Sequence, residues 1–363
     1  MDTNPTPSSD DERYTEIDLP FYRGEVAPAL PPRVLDFHTH TWERDHWREV
    51  PWESDVQGGK YMVTWHDYGP DALLGDARRA FPDRESSAVC FGYPSPAADT
   101  SKTNAGAALA GERRGLYPLM VTGRDMLSKH ELEREITENG FFGFKVYLNW
   151  HGDDYGSVRV ENLIGPNEME LADDLRLVVL LHVPRAGRLA DPDVQDGVRR
   201  LSSEYPRASI VLAHCGRAYL PDEMKRAIHS VRDLQNVFLD TAMVMDPTVL
   251  QIVFNEIDSR RVLFGTDFPV AAMRGRRVYV MDHWVDVVLD GYPPSAYRVP
   301  SSGIRATFMA WEIVLAIRRA AEMAGLSAEE RSSIFHDNGM ALLRRVLDGR
   351  QIDRAHTRWG RSL

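Results

Sequence analysis

The amino-acid sequence predicts an α/β protein built as a (β/α)8, or TIM, barrel. Eight short apolar runs alternate with helical patterns, and they cover residues 34–40, 87–93, 116–122, 142–148, 176–183, 209–214, 236–241 and 261–267. Several runs are apolar on consecutive residues, as at 177–181, which is typical of parallel strands buried on both faces. The spacing of the runs leaves room for a strand, a loop and a helix in each repeat. An open, doubly wound sheet is the alternative architecture.

Helix boundary signals lie between these runs. Ser128 and Glu131 have the spacing of a capping box, and Gly140 is a stop for the same helix. Asp246, which is followed by a proline, caps a later helix whose apolar side chains form one stripe. Ser327 opens a C-terminal helix in the same way as Ser128. These features predict helices that pack on the barrel, and they need no functional explanation.

The chain divides into three segments. Its beginning is rich in Pro, Ser, Asp and Thr and lacks the apolar core and basic flank of a secretory signal, so we expect residues 1–32 to be a flexible N-terminal leader. The barrel is expected over residues 33–350, and residues 351–363 form a C-terminal tail. No run approaches the ~20 apolar residues that a membrane span requires.

Charge and cysteine content limit the partners and the compartment. The 363 residues include 43 Lys and Arg against 54 Asp and Glu, a net charge of -11, which argues against a phosphate backbone as the main target. We therefore expect neither a nucleic-acid partner nor a membrane. Cys90 and Cys215 both lie in apolar runs, which predicts reduced, buried thiols and a cytoplasmic protein.

Two connections are too long to be simple turns. The first, residues 41–71, follows the first strand, and the second, residues 270–299, follows the eighth strand. In a barrel both leave from the C-terminal face, where active sites form. A lid or pocket wall and a packing plug or subunit contact are both compatible with the first loop. Its indole and imidazole side chains belong to Trp42, His46, Trp47, Trp52, Trp65 and His66.

The residues with metal-binding or acid–base chemistry lie at strand ends. His38 and His40 are one residue apart, so both imidazoles project from the same side of the first strand. Later strand-end candidates are Lys145, His182, His214 and Asp267. In a barrel these ends converge at one mouth, and imidazole and carboxylate groups are ligands for Zn²⁺, Mn²⁺ or Fe²⁺. Such an ion lowers the pKa of a bound water from 15.7 towards ~7.

Two of these residues are candidates for the chemical step. Asp267 can contact the metal and also take or deliver a proton. His214 can polarise a substrate oxygen, act as a general acid, or bind a second ion. Each residue alone also has an ordinary structural explanation, since a strand-end histidine can be a hydrogen-bonded core residue and an aspartate can cap a turn.

As an ordered set, the motifs resemble the amidohydrolase superfamily. The matching features are the H-x-H of the first strand, the later strand-end histidines and the aspartate in Gly-Thr-Asp-Phe-Pro. More narrowly, residues 33–346 resemble the amidohydrolase-2 branch, related to aminocarboxymuconate-semialdehyde decarboxylase, including an Asn-containing helix at 334–343. The resemblance implies a divalent metal, commonly zinc, bound by His38, His40, His182 and Asp267, with His214 as the catalytic histidine. A homodimer is consistent with it.

Lys145 allows three interpretations. In binuclear members of the superfamily, a strand-four lysine is carboxylated by carbon dioxide and bridges two metals. The lysine can also be structural, or it can bind a substrate carboxylate as a point charge; we favour the last interpretation, and with it one metal ion. Arg185 and Arg217 each follow a strand-end histidine by three residues, and guanidinium groups suit carboxylates. Together these cations predict a small, anionic, carboxylate-bearing substrate.

Three functions fit these residues. In the preferred one, a metal-dependent hydrolase attacks a lactone, amide or related carbonyl with metal-activated water, Asp267 manages the proton, and His214 stabilises the oxyanion. In the alternative, a nonoxidative decarboxylase of an aromatic or enoic acid uses the metal and His214 to organise substrate protonation. A non-catalytic, ligand-binding barrel is disfavoured, because no residue of the ligand set is missing.

Overall fold

A ring of parallel strands forms the centre of the computed structural model, which describes residues 9–48, 66–93, 95–148, 156–281, 283–289, 297–299 and 306–349. The strands are β1 (Arg33–His40), β2 (Glu85–Phe91), β3 (Leu116–Pro118), β4 (Met120–Val121), β5 (Gly143–Val146), β6 (Val178–Leu181), β7 (Ser209–Leu212), β8 (Val237–Asp240) and β9 (Val262–Leu263). Neighbours along the ring pair in parallel and in chain order. β3 and β4 are two parts of one barrel strand, interrupted at Leu119, whose N–H donates to the Cys90 carbonyl.

The ring closes between β1 and the chain that follows β9. The Asp267 N–H donates to the His38 carbonyl over 2.8 Å, and the His40 N–H donates to the Phe268 carbonyl over 2.9 Å. The first and last strands of the barrel are thereby joined, and the predicted (β/α)8 barrel is confirmed. The residues at this seam include three of the proposed metal ligands.

Helices surround the ring. In chain order they are α1 (Ser9–Arg13), α2 (Leu19–Phe21), α3 (Pro70–Ala80), α4 (Thr100–Ala110), α5 (Lys129–Asn139), α6 (Val160–Leu163), α7 (Pro166–Asp174), α8 (Pro192–Glu204), α9 (Pro221–Ala227), α10 (Pro247–Glu256), α11 (Met309–Met323), α12 (Ala328–Phe335) and α13 (Asp337–Gly349). The predicted boundary signals are confirmed: Ser128 and Glu131 form a reciprocal capping box on α5, Asp246 caps α10 and Ser327 caps α12. Gly140 ends α5 at a φ of 70°, a left-handed conformation that favours glycine. In the described part of the chain, none of the helices has the length and apolar character needed to cross a membrane.

The N-terminal segment differs from the flexible leader expected over residues 1–32. Residues 9–29 form consecutive helical turns, and Tyr22 and Val26 are buried. The carboxylate of Asp18 is fully buried and accepts a hydrogen bond from Arg274 Nε over 2.8 Å. The polar composition predicted disorder, but a few apolar side chains at helical spacing are enough to dock the segment. Residues 1–8 and the expected tail at 351–363 lie outside the described residues.

The buried ion pair of Asp18 with Arg274 predicts a measurable effect on stability. Asp18→Ala should lower the free energy of unfolding by about 2–3 kcal/mol, because the buried guanidinium loses a charged hydrogen-bond partner. Asp10→Ala is the matched control: Asp10 also pairs with Arg274, but its side chain is 51% exposed, so we expect a loss of about 0–1 kcal/mol. Urea denaturation followed by circular dichroism compares the two variants, and equal losses would contradict the prediction.

The long connection after β9, which is the eighth strand of the barrel, contains secondary structure of its own. β10 (Gly275–Val280) and β11 (His283–Leu289) form an antiparallel hairpin, and β12 (Tyr297–Val299) pairs in parallel with β11. The Arg274 carbonyl accepts the Leu289 N–H over 3.1 Å at the base of the hairpin. Arg274 therefore links the N-terminal segment to this hairpin.

Both cysteines lie in the core. Cys90 and Cys215 are free thiols and fully buried. Burial raises the pKa of both thiols, so neither forms a reactive thiolate at neutral pH.

Candidate active site

Two histidines and an aspartate meet at the seam of the barrel. His40 Nε2 lies 3.0 Å from Asp267 Oδ1, and His38 Nε2 lies 3.4 Å from the same oxygen. One nitrogen or oxygen atom from each residue lies within 4.8 Å of the others. The two histidines are almost fully buried, whereas the Asp267 side chain is 14% exposed. The cluster therefore has access to solvent on the side of the carboxylate.

Two further histidines extend this cluster. The ring centroid of His214 lies 4.7 Å from that of His38 and 5.1 Å from that of His182. His182 is not part of this group of three, but its Nδ1 is buried and has no hydrogen-bond partner among the described residues. A buried nitrogen without a partner is costly unless a ligand or water satisfies it. This nitrogen is therefore available to a bound group.

The backbone at His214 is left-handed. The φ angles are 56° at His214, 50° at Cys215 and 67° at Gly216, and a left-handed residue other than glycine costs about 1–2 kcal/mol. Hydrogen bonds hold this turn: the His214 N–H donates to Asp240 Oδ1 over 2.7 Å, and His214 Nδ1 lies 3.0 Å from the Ala242 carbonyl oxygen. Because a carbonyl only accepts, Nδ1 carries the proton and Nε2 presents a lone pair.

Asp240 is a site residue that the sequence analysis missed. It ends β8, its side chain is fully buried, and its Oδ2 lies 2.9 Å from His38 Nδ1. The signal was present, because Asp240 is an acidic residue at a strand end, as Asp267 is. Nothing in the local sequence indicates that its partner is a histidine on β1, 202 residues away in the chain.

Burial sets the charge state of the histidines, and the neighbouring imidazoles set that of Asp267. Burial lowers the pKa of His38, His40 and His182, and it lowers that of His214 to about 3. Burial alone would raise the pKa of Asp267, but the hydrogen bond from His40 and the adjacent imidazoles hold that pKa below its ordinary value. Neutral imidazoles and a carboxylate are the donor set of a borderline divalent ion. The residues present therefore fit a divalent metal.

Lys145 lies against His38. Its Nζ is 3.4 Å from His38 Nε2 and 4.7 Å from the centroid of the Phe91 ring. Burial lowers the pKa of Lys145 to about 8. The lysine is thus next to the cluster, as both the substrate-binding and the bridging interpretations require.

The two arginines predicted to bind substrate have different surroundings. Arg185 pairs with Asp191 at 2.9 Å and with Asp193 at 3.1 Å, so acidic residues a few positions away compensate its charge. Arg217 donates to the Val183 carbonyl over 3.0 Å. Burial is the largest cause of the lowered pKa of His182, and the charge of Arg217 is the second largest. Arg217 therefore lies near the histidine cluster, and the substrate-binding roles of both arginines stay predictions.

The hairpin after β9 contacts the site through Tyr219. The ring of Tyr219 lies 6.1 Å from the His214 ring and 5.4 Å from the Trp284 ring. The guanidinium of Arg277 lies 4.0 Å from the centroid of the Trp284 ring and forms a bidentate pair with Asp286 at 2.8 Å. Sequence reasoning did not find these residues, because their contacts depend on the path of an irregular connection.

Trp42, in the first long loop, packs beside His40. The Trp42 ring lies 6.0 Å from the His40 ring and 5.8 Å from the Tyr68 ring, and both Trp42 and Trp47 are buried. In its described part, this loop is a packed aromatic wall. Trp52 and Trp65 lie outside the described residues.

The fold and the site together define a class of protein. A (β/α)8 barrel with buried histidines and a carboxylate at the carboxyl ends of its strands is a barrel enzyme with its active site at that mouth. The chain belongs to the amidohydrolase family, whose model, described as Amidohydrolase, matches residues 35–345. The resemblance inferred from the motifs is confirmed. The protein is thus an enzyme of a family that is generally metal-dependent.

Solved structures share this fold. A 4-oxalomesaconate hydratase from Rhodopseudomonas palustris is 18% identical, with a TM-score of 0.53 and coverage of 87% of this chain and 97% of that one. An amidohydrolase from Burkholderia multivorans with bound zinc is 18% identical, with a TM-score of 0.55 and coverage of 86% and 99%. A 2,6-dihydroxybenzoate decarboxylase in complex with 2,6-dihydroxybenzoate is 13% identical, with a TM-score of 0.54 and coverage of 86% and 100%. A search of curated proteins finds no match.

Proposed function

We propose that the protein is a metal-dependent hydrolase of a small, carboxylate-bearing lactone, amide or related carbonyl compound. The observation that carries this proposal is the meeting of His38, His40 and Asp267 at the mouth of the barrel. These residues, with His182, would hold a divalent ion. When bound, that ion supplies Lewis acidity and lowers the pKa of a water ligand from 15.7 to ~7.

Asp267 and His214 provide the proton chemistry in this proposal. The carboxylate of Asp267 is ionised and 14% exposed, so it can take a proton from the attacking water and deliver it to the leaving group. His214 directs the lone pair of Nε2 away from the Ala242 carbonyl, so it can accept a hydrogen bond from water or from a substrate hydroxyl. This tautomer favours an acceptor role over the oxyanion stabilisation expected from the sequence.

Zinc is the proposed metal, with Mn²⁺ and Fe²⁺ as alternatives. Three imidazoles and one carboxylate suit a borderline ion, and the barrel from Burkholderia multivorans contains zinc. We favour one ion per chain, with Lys145, Arg185 and Arg217 binding the carboxylate of the substrate. A second ion would need carboxylated Lys145, whose pKa of about 8 leaves part of the amine uncharged and able to react with carbon dioxide.

A nonoxidative decarboxylase of an aromatic or enoic acid is the second candidate. The structural likeness to 2,6-dihydroxybenzoate decarboxylase favours this alternative. The same four ligands would serve, and His214 would organise the protonation of the substrate before carbon dioxide leaves.

The proposed partners follow from the site and from the net charge. The substrate is a small anion, because Lys145 and Arg217 lie beside the histidine cluster. A net charge of -11 disfavours nucleic acid and anionic membranes as partners. A cytoplasmic location is supported by the two free thiols, and a homodimer is compatible with the proposal.

A substrate screen distinguishes the two candidate reactions. Zinc-loaded protein is assayed with carboxylate-bearing lactones and amides for acid release in a pH-stat, and with aromatic and enoic acids for carbon dioxide release. We expect acid release without carbon dioxide, and Asp267→Asn protein prepared in parallel controls for contaminating hydrolases. Carbon dioxide release would contradict the hydrolase proposal and support the decarboxylase. No product in either panel, with metal bound, would contradict both.

A further inference from the structure

A buried carboxylate outside the proposed ligand set joins two parts of the site. Asp240 Oδ2 lies 2.9 Å from His38 Nδ1, while Asp240 Oδ1 accepts the N–H of His214 over 2.7 Å and that of Ala242 over 3.0 Å. The Ala242 carbonyl in turn lies 3.0 Å from His214 Nδ1. One side chain thus contacts a proposed metal ligand and also holds the turn that carries the catalytic histidine.

These contacts define the tautomer of His38. Backbone N–H groups only donate and an ionised carboxylate only accepts, so the hydrogen between Asp240 and His38 belongs to His38 Nδ1. His38 Nε2 then keeps its lone pair, and this atom lies 3.4 Å from both Asp267 Oδ1 and Lys145 Nζ. In the other tautomer, the ring would direct an N–H at the cluster and could not bind a cation.

We propose that Asp240 is the positioning residue that holds His38 in its metal-binding tautomer and fixes His214 beside it. The inference rests on the proposed metal-dependent function and adds a residue outside the proposed ligand set of His38, His40, His182 and Asp267. Partners of this kind orient a ligand ring and raise its basicity. Asp240 does so for His38 and, through two backbone N–H groups, sets the distance between His38 and His214.

Asp240→Asn tests this role because it keeps the shape of the side chain but cannot satisfy all three donors. With the amide oxygen on the backbone N–H groups of His214 and Ala242, the amide nitrogen faces His38 Nδ1 and donates, which moves the ring hydrogen to Nε2. We expect the zinc affinity, measured at pH 7.5 by competition with a chromophoric chelator, to fall by about 10- to 100-fold. The matched control is Asp246→Asn, in the loop after the same strand; Asn caps a helix as well as Asp, so affinity should not change.

The outcomes separate this role from the proposed function. Wild-type protein that binds no zinc would refute the metal-dependent function, whereas equal affinity of wild-type and Asp240→Asn protein would refute only the role of Asp240. If circular dichroism shows that Asp240→Asn protein does not fold, the nitrogen-15 spectrum of the histidine rings in zinc-free wild-type protein tests the proposal instead, because it reports the tautomer of His38. The signals of His38 in this spectrum are assigned by comparison with the spectrum of His38→Ala protein. We expect its hydrogen on Nδ1, and a hydrogen on Nε2 would overturn the proposal.

Discussion

Asp267→Asn should reduce turnover by about 10²- to 10⁴-fold, the range that a positioned proton carrier contributes. An amide has nearly the volume of the carboxylate, but it cannot take up the proton and is a poorer metal ligand. The Asp267 N–H donates to the His38 carbonyl, so the seam of the barrel does not depend on the side chain that is changed. The measurement is kcat and kcat/KM on the best substrate from the screen, with metal content determined on the same sample.

A matched substitution controls for loss of a carboxylate in the same part of the chain. Asp258→Asn changes an aspartate whose side chain caps the short helix before β9 and is 39% exposed. It should keep wild-type turnover, because it contacts none of the site residues named above. Turnover of Asp267→Asn protein within a few-fold of wild type would falsify the role assigned to Asp267.

His38→Ala should remove most of the bound metal. Four-ligand structural zinc sites bind with roughly 10–16 kcal/mol, so one ligand of four is worth about 3 kcal/mol, or ~10²-fold in affinity. The substitution also leaves the buried carboxylate of Asp240 without its histidine partner. We expect about one equivalent of metal per wild-type chain purified without chelator, and only a small fraction of that in the variant.

The metal count also tests Lys145. His130→Ala, on the exposed face of α5, is the control and should retain the wild-type content. Two equivalents in wild-type protein, with one lost in Lys145→Ala, would establish the carboxylated bridge in place of the substrate-binding role. Metal content unchanged in His38→Ala would contradict the ligand set itself.

Local patterns in the sequence were sufficient to predict the barrel and the candidate residues at its strand ends. Burial on both faces of a strand and the two-residue alternation at His38 and His40 are properties of a few neighbouring residues. Asp240 was not predicted as a site residue, because its importance lies in a contact with His38, 202 residues away. The docking of the N-terminal segment has a related cause, since Asp18 pairs with Arg274, 256 residues away. Long-range pairing of polar residues leaves no periodic signal in the sequence.

The seam where the proposed metal ligands meet can form only late in synthesis. His40 and Asp267 are separated by 227 residues, so a ribosome working at ~5–20 residues per second makes them roughly 10–50 s apart. Until the last strand emerges, β1 has one unpaired edge, which is open to pairing with other chains. A metal ion that binds across the seam stabilises only chains in which both ends of the barrel have met. Chains that terminate before β9, the last strand of the barrel, therefore lack both the active site and this stabilisation.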